Sequence, residues 1–282
     1  MLTANFLVND RKILENKISK MKKGGAASLH VITDFDRTLT KMAKEGYLIS
    51  TSYDPINERL DPKFKRLTDQ MTEHYLPIEL SKKFSLQEKS RKMEEWWGKY
   101  FALSLEYGMR ESIILDAVKS MKINFRPGAR RFLDILDKQG IPLLIFSAGV
   151  GNIIRQGLKS AGKLTPNIHI ISNFFEYDAK GKAIGYTRPL IHTFNKNESQ
   201  VKNSDYASQI VKRKNLILLG DSLGDPGMAD GMEHECVIKI GFYNHAQDES
   251  LQKKYLKCYD VLIMNNAGME YVNGLLKEIV KR

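Results

Sequence analysis

This 282-residue sequence predicts an α/β protein. Its expected core is a Rossmann-like, doubly wound parallel sheet interrupted by one helical insertion. Three observations carry that expectation. Short apolar, β-branched runs alternate with stretches of helical periodicity, the pattern a parallel sheet needs. Four extended segments end in polar side chains: Asp34 with Asp36, Ser147, Lys196, and Asp221 with Asp225. Residues 41–125, rich in Lys, Glu, Met, Tyr and Trp, carry no clear buried strand and read as inserted helices.

The elements follow in order. Residues 4–22 place Phe6, Leu7, Ile13, Leu14, Ile18 and Met21 at helical spacing, and Gly24-Gly25 end that helix. The run Leu29–Thr33 is a buried strand that delivers Asp34 and Asp36 to the carboxyl edge of the sheet, where open α/β folds hold their ligands. Asp is also common in turns, so this pair gains meaning only from the segments that join it. Helices are expected at about 58–75, 86–107 and 110–121, punctuated by Asp54-Pro55, Asp61-Pro62 and Leu76-Pro77. Trp96 and Trp97 are adjacent on one of them and so face different directions.

Arg126-Pro127-Gly128 marks the return to the sheet, followed by a helix at 129–139 and a buried strand at 141–146. That strand runs into Ser147-Ala148-Gly149 and a helix to about Ala161, a combination that suits an anion or a simple helix cap. A strand at 168–172 and a hairpin at 174–187, turning at Asp178–Gly181, come next. Beyond Lys196 the pattern gives a helix at 199–212, a strand at 215–219 ending in Gly-Asp-Ser-Leu-Gly-Asp, a strand at 237–240, a helix at 247–257, a strand at 261–264 and a final helix at 268–281.

Composition sets the limits. Apolar residues make up 42% of the chain, enough for a packed core. The sequence holds no apolar run of about 18 residues, the length a spanning helix needs, and no apolar core for a signal peptide. Two cysteines without metal-type spacing fit a reducing, cytoplasmic setting. The net charge of +11 comes from lysines spread along the chain, which reads as a solvated surface with weak steering of phosphate substrates. No membrane partner and no stable nucleic-acid partner are expected, and the chain is expected as a monomer or weak dimer.

The order of motifs, DFDRT, then an apolar strand into SAG, then a lysine, then LLGDSLGD, resembles the haloacid dehalogenase-like hydrolases. More closely, GGAASLHVITDFDRTLT, YLPIEL, PLLIFSAGVGN, HIISNFFEYDAKG, LIHTFNKN, NLILLGDSLGDPGMADG and VIKIGFYN are similar to the cytosolic 5′-nucleotidase III (pyrimidine 5′-nucleotidase) family. The resemblance implies a core domain of residues 1–41 and 127–282, a helical cap at 42–126, Mg²⁺, and hydrolysis of nucleoside 5′-monophosphates. It assigns Asp34 as nucleophile and Asp36 as general acid and base. Asp34, the Asp36 carbonyl and Asp221, with Asp225 beside them, would be the metal ligands. Lys196, Ser147 and the Ala148 N–H would hold the phosphoryl group, and Thr38 the shape of the motif loop. Glu79 falls at the family's base-contacting glutamate, and Tyr100 stands where relatives carry a substrate-contacting serine. The substrate then lies between UMP or CMP and 7-methylguanosine monophosphate, with phosphotransfer to a nucleoside as a side reaction. The readings beside this one are a phosphatase of another small metabolite on the same core and a non-catalytic nucleotide- or RNA-binding protein.

Overall fold

The computed structural model describes residues 5–44, 47–48, 51–81, 83–121, 123–197, 200–202, 204–245 and 248–281, with the side chains of 43, 44, 47, 48 and 121 left aside. The chain opens with strand β1 (Phe6–Val8) and helix α1 (Arg11–Gly24), then β2 (Leu29–Thr33). The short strands β3 (Ala43–Lys44) and β4 (Tyr47–Leu48) lead to four helices, α2 (Asp54–Asn57), α3 (Pro62–Leu80), α4 (Leu86–Glu106) and α5 (Glu111–Met121). Then follow α6 (Ala129–Lys138), β5 (Leu143–Val150), α7 (Gly151–Ser160), β6 (Ile168–Asn173) and the hairpin β7 (Phe175–Tyr177) and β8 (Ala183–Tyr186). Helix α8 (Asp205–Ile210), β9 (Asn215–Gly220), β10 (Cys236–Phe242), α9 (Glu249–Cys258), β11 (Val261–Ile263) and α10 (Glu270–Val280) complete it.

Seven strands form one sheet in the order β1-β11-β10-β9-β2-β5-β6, parallel except for β1. Strand β2 lies at its centre, with Thr33 level with Leu219 on one side and Ile145 on the other. All five β2 residues are buried, because helices cover both faces. Alternate side chains serve opposite layers. Val31, Ile145 and Ile217 pack with Phe132 of α6 and Leu276 of α10, whereas Ile32, Leu144 and Leu218 pack with Tyr206 of α8 and Tyr255 of α9. A third apolar cluster joins the inserted helices to the rest: Phe64, Phe101 and Ile114 meet Ile153 of α7 and Phe175 of the hairpin.

Four expectations change. The helix expected over 4–22 begins only at Arg11, where the Asp10 carboxylate caps it by accepting the Ile13 N–H at 2.9 Å. Phe6–Val8 instead pairs antiparallel with Val261–Ile263, a partner no local pattern could announce. Helix α3 runs through Pro77, which supplies no N–H to the helical ladder, and ends at Leu80 with Glu79 in its last turn. Strand β5 extends to Val150, so Ser147 belongs to the strand and does not cap α7. Helix α8 is shorter than 199–212, starting where Ser204 caps it; residues 198, 199 and 203 lie outside the described residues. Among the described residues no helix is long and apolar enough to cross a membrane, and both cysteines are free thiols.

Candidate active site

Because β2, β5 and β9 are parallel neighbours, their carboxyl ends open on one edge of the sheet. Asp34 follows β2 directly and is buried at 5% exposure. The loop after β9 brings Asp221 and Asp225 to it, and carboxylate oxygens of all three lie within 4.8 Å of one another. This loop is shaped from within. Asp225 Oδ2 accepts the N–H groups of Asp221 (3.0 Å) and Ser222 (2.9 Å). A Cβ on Gly220 would lie 2.4 Å from that of Asp225, so only glycine leaves room for the turn.

Lys196 arrives from the loop after the hairpin. Its ammonium donates to Asp34 Oδ1 at 2.6 Å and to Asp225 Oδ1 at 3.0 Å, itself only 7% exposed. Burial works against its charge, but Asp225 and Asp34 outweigh that and hold its pKa above the usual lysine value. Burial likewise pushes Asp34 up, against the pull of Lys196 and with Asp225 adding to the rise. Asp221 is pushed well above the usual carboxylate range, by burial first and then by Asp34 and Asp225. Three carboxylates around one ammonium are short of positive charge, and a hard, oxygen-seeking divalent cation such as Mg²⁺ matches that donor set.

Asp36 finds its hydrogen-bond partner outside this trio. Its carboxylate accepts from Ser52, and burial raises its pKa while those bonds partly offset the rise. The motif turn behind it is tight: Phe35 O accepts the N–H groups of Leu39 and Thr40, and Arg37 sits at φ 64°. Thr38 donates to Asp221 Oδ1 at 3.4 Å, linking the turn to the second acidic loop. Ser147 is buried at the end of β5, its Oγ accepting the Gly149 N–H, and the half-buried Ala148 follows it.

Glu79 and Tyr100 sit outside the cluster. Glu79 accepts the Thr193 hydroxyl at 2.5 Å, which ties the end of α3 to the loop that carries Lys196. Tyr100 is 3% exposed and donates to Asn57 Oδ1, inside an aromatic group with Tyr53, Phe64, Trp97 and Phe101. Its ring and hydroxyl are thus satisfied within the insertion, where it lines a small recess with Tyr53, Thr72, Trp96 and Trp97. Trp96 stacks on Tyr75 at 5.5 Å and on Trp97 at 6.1 Å, and Trp97 meets Tyr53 edge-on, so the two tryptophans, although adjacent in sequence, share one aromatic array.

Sequence reasoning overlooked several residues that hold these groups. Arg126, 1% exposed, donates to the carbonyls of Arg37, Thr38 and Ala267 and stacks on Phe242. It locks the turn after Asp34 from behind. Tyr255 donates to the Asp221 carbonyl at 2.9 Å. Neither residue lies in a motif, and both act across more than 30 positions of chain.

Residues 37–280 match the family model described as Pyrimidine 5′-nucleotidase (UMPH-1). A 7-methylguanosine phosphate-specific 5′-nucleotidase A of Xenopus laevis is 34% identical over 278 residues, covering 98% of this chain and 96% of that protein. The crystal structure of cytosolic 5′-nucleotidase IIIB bound to cytidine superposes with a TM-score of 0.88 at 31% identity, over 99% of this chain and 94% of that one. A phosphoserine phosphatase in its phospho-aspartyl intermediate analogue form shares the fold alone, at TM-score 0.55 and 17% identity over 89% and 97% of the two chains. On a sheet of this topology, with acids and lysine gathered at one edge, the chain belongs to the pyrimidine 5′-nucleotidase family and is a 5′-nucleotidase, a phosphoric monoester hydrolase.

Proposed function

We propose that this enzyme is a Mg²⁺-dependent 5′-nucleotidase that converts UMP, CMP or 7-methylguanosine monophosphate to nucleoside and phosphate through an aspartyl-phosphate on Asp34. The observation that carries this reading is the buried convergence of Asp34, Asp221, Asp225 and Lys196. Asp34, Asp221 and the Asp36 carbonyl would hold the ion, with Asp225 beside them. Once bound it supplies charge neutralisation and polarises phosphoryl oxygens.

The chain's own residues do the rest. The Asp34 carboxylate attacks phosphorus, splitting one hard displacement into two easier ones. Asp36 gives its proton to the departing 5′-oxygen, then takes one from the water that cleaves the acyl phosphate. Lys196 orients Asp34 and adds positive charge where the transferring group becomes more negative. Ser147 and the Ala148 N–H bind a phosphoryl oxygen in place of water. Residues 42–126 act as a cap: Glu79 contacts the base, and Tyr100 shapes the aromatic recess beside it. The cytosol is the proposed compartment.

Steady-state kinetics on UMP, CMP, GMP, AMP and 7-methylguanosine monophosphate, with Mg²⁺ and with EDTA, test the proposal. A clear preference within that set and loss of turnover in EDTA are expected. Full activity in EDTA, or equal rates on all five and on phosphoserine, would overturn it.

A further inference from the structure

Asp36 is gripped by a single residue of the turn that leads into the inserted helices. Ser52 donates its N–H to Oδ1 at 3.0 Å and Oδ2 at 3.2 Å, and its hydroxyl to Oδ2 at 2.6 Å. The same hydroxyl accepts the Val150 N–H from the end of β5 at 3.2 Å. Accepting from Val150 leaves the one hydroxyl proton to be aimed at Asp36. The turn is itself fixed, because Asp54 accepts the Thr51 N–H at 2.7 Å and the Thr51 hydroxyl at 2.9 Å. Ser52 is 1% exposed, and a Cβ on Gly149 would fall 1.9 Å from its Oγ, so the junction admits nothing larger than glycine there.

A carboxylate has about four acceptor positions, two on each oxygen. The Ser52 hydroxyl takes one on Oδ2, and its single N–H is shared between the two oxygens, so Oδ1 keeps more open acceptor capacity than Oδ2. We infer that Ser52 is a positioning residue for the hydrolysis, fixing the Asp36 carboxyl so that Oδ1 handles the proton in both half-reactions. The inference rests on the reading of Asp36 as acid and base. In the first half, an Asp34 oxygen bonds to phosphorus, the bond from phosphorus to the 5′-oxygen breaks, and the Oδ1 proton passes to that oxygen. In the second, water bonds to phosphorus, the Asp34 ester bond breaks, and the water's proton passes to Oδ1. Since Ser52 belongs to the entrance of the insertion, Asp36 is aimed only while that turn is docked against β5.

The test compares leaving groups. A nucleoside leaves as a poor alkoxide and needs the acid; 4-nitrophenolate leaves without one. General acid and base groups contribute about 10²–10⁴-fold, and losing the positioning of one costs part of that. Ser52→Ala is expected to lower kcat/KM on UMP about 30-fold and on 4-nitrophenyl phosphate less than about 3-fold. With the aryl phosphate it should also show a burst of about one equivalent of nitrophenolate, because water attack still needs the base. Ser52→Thr keeps the hydroxyl and should restore most of the ratio. The ratio between two substrates on one preparation does not depend on how much of the variant folds. Equal losses on both substrates without a burst would overturn the assignment of Ser52. Asp36→Asn separates the two levels: if it discriminates between leaving groups and Ser52→Ala does not, only Ser52 falls, whereas no discrimination by Asp36→Asn removes the acid itself.

Discussion

Replacing Lys196 with methionine keeps most of the side-chain volume and removes one buried charge. Two contacts go with it, at 2.6 Å to Asp34 and 3.0 Å to Asp225. At an effective dielectric of about 20, these two attractions sum to roughly 12 kcal/mol before desolvation is counted. Desolvating the ammonium and the carboxylates cancels much of that, and breaking buried pairs generally costs about 3–5 kcal/mol. For a chain of 282 residues, with about 2.1 cal/mol/K per residue of unfolding entropy, that is a Tm lower by about 5–8 °C. The measurement is thermal unfolding by circular dichroism in EDTA, parent against Lys196→Met. Addition of about 10 mM Mg²⁺ should then raise Tm more in the variant than in the parent, since a ligand that binds only the folded cluster stabilises it by an amount that grows with the logarithm of its affinity there. Turnover should fall by at least a hundredfold, about 2.7 kcal/mol, even with the ion restored. A variant within 2 °C of the parent in EDTA, with the same response to Mg²⁺, would show that Lys196 does not balance these acids.

Other outcomes follow from the same geometry. Asp34→Asn should abolish turnover and acid-stable labelling of the protein by radioactive phosphate while leaving the circular dichroism spectrum unchanged; activity within tenfold of the parent would exclude it as nucleophile. Glu79→Ala should lower kcat/KM on nucleotides about tenfold or more, yet change an aryl phosphate little; equal losses would place the Glu79–Thr193 contact in structure and not in base recognition. His30 gives a pH effect on stability. Burial holds it down to about 3 from 6.5, with His234, Arg213 and Lys214 adding. Between those values the unfolded chain binds the proton and the folded chain does not, so stability falls as pH falls, by about 2 kcal/mol from pH 7 to pH 5. Urea unfolding at the two pH values should show that loss reduced by a similar amount in His30→Gln, and an unchanged loss would mean that His30 is protonated while folded.

The sequence by itself determined the sheet and the side of it that carries chemistry. Apolar runs such as Leu29–Thr33 and Asn215–Gly220 state their own burial, and parallel strands must all point their carboxyl ends to one edge. Asp34, Asp221 and Asp225 were legible for that reason. The tertiary structure alone decided which groups touch. The pairing of Lys196 with two acids, the grip of Ser52 on Asp36 and the lock formed by Arg126 each join residues with no periodic relation. The enclosure of Tyr100 and the edge strand Phe6–Val8 depend in the same way on partners remote in sequence. A hydrogen bond is set by distance in space, and a short segment bonded to a remote partner leaves no mark on its own local pattern.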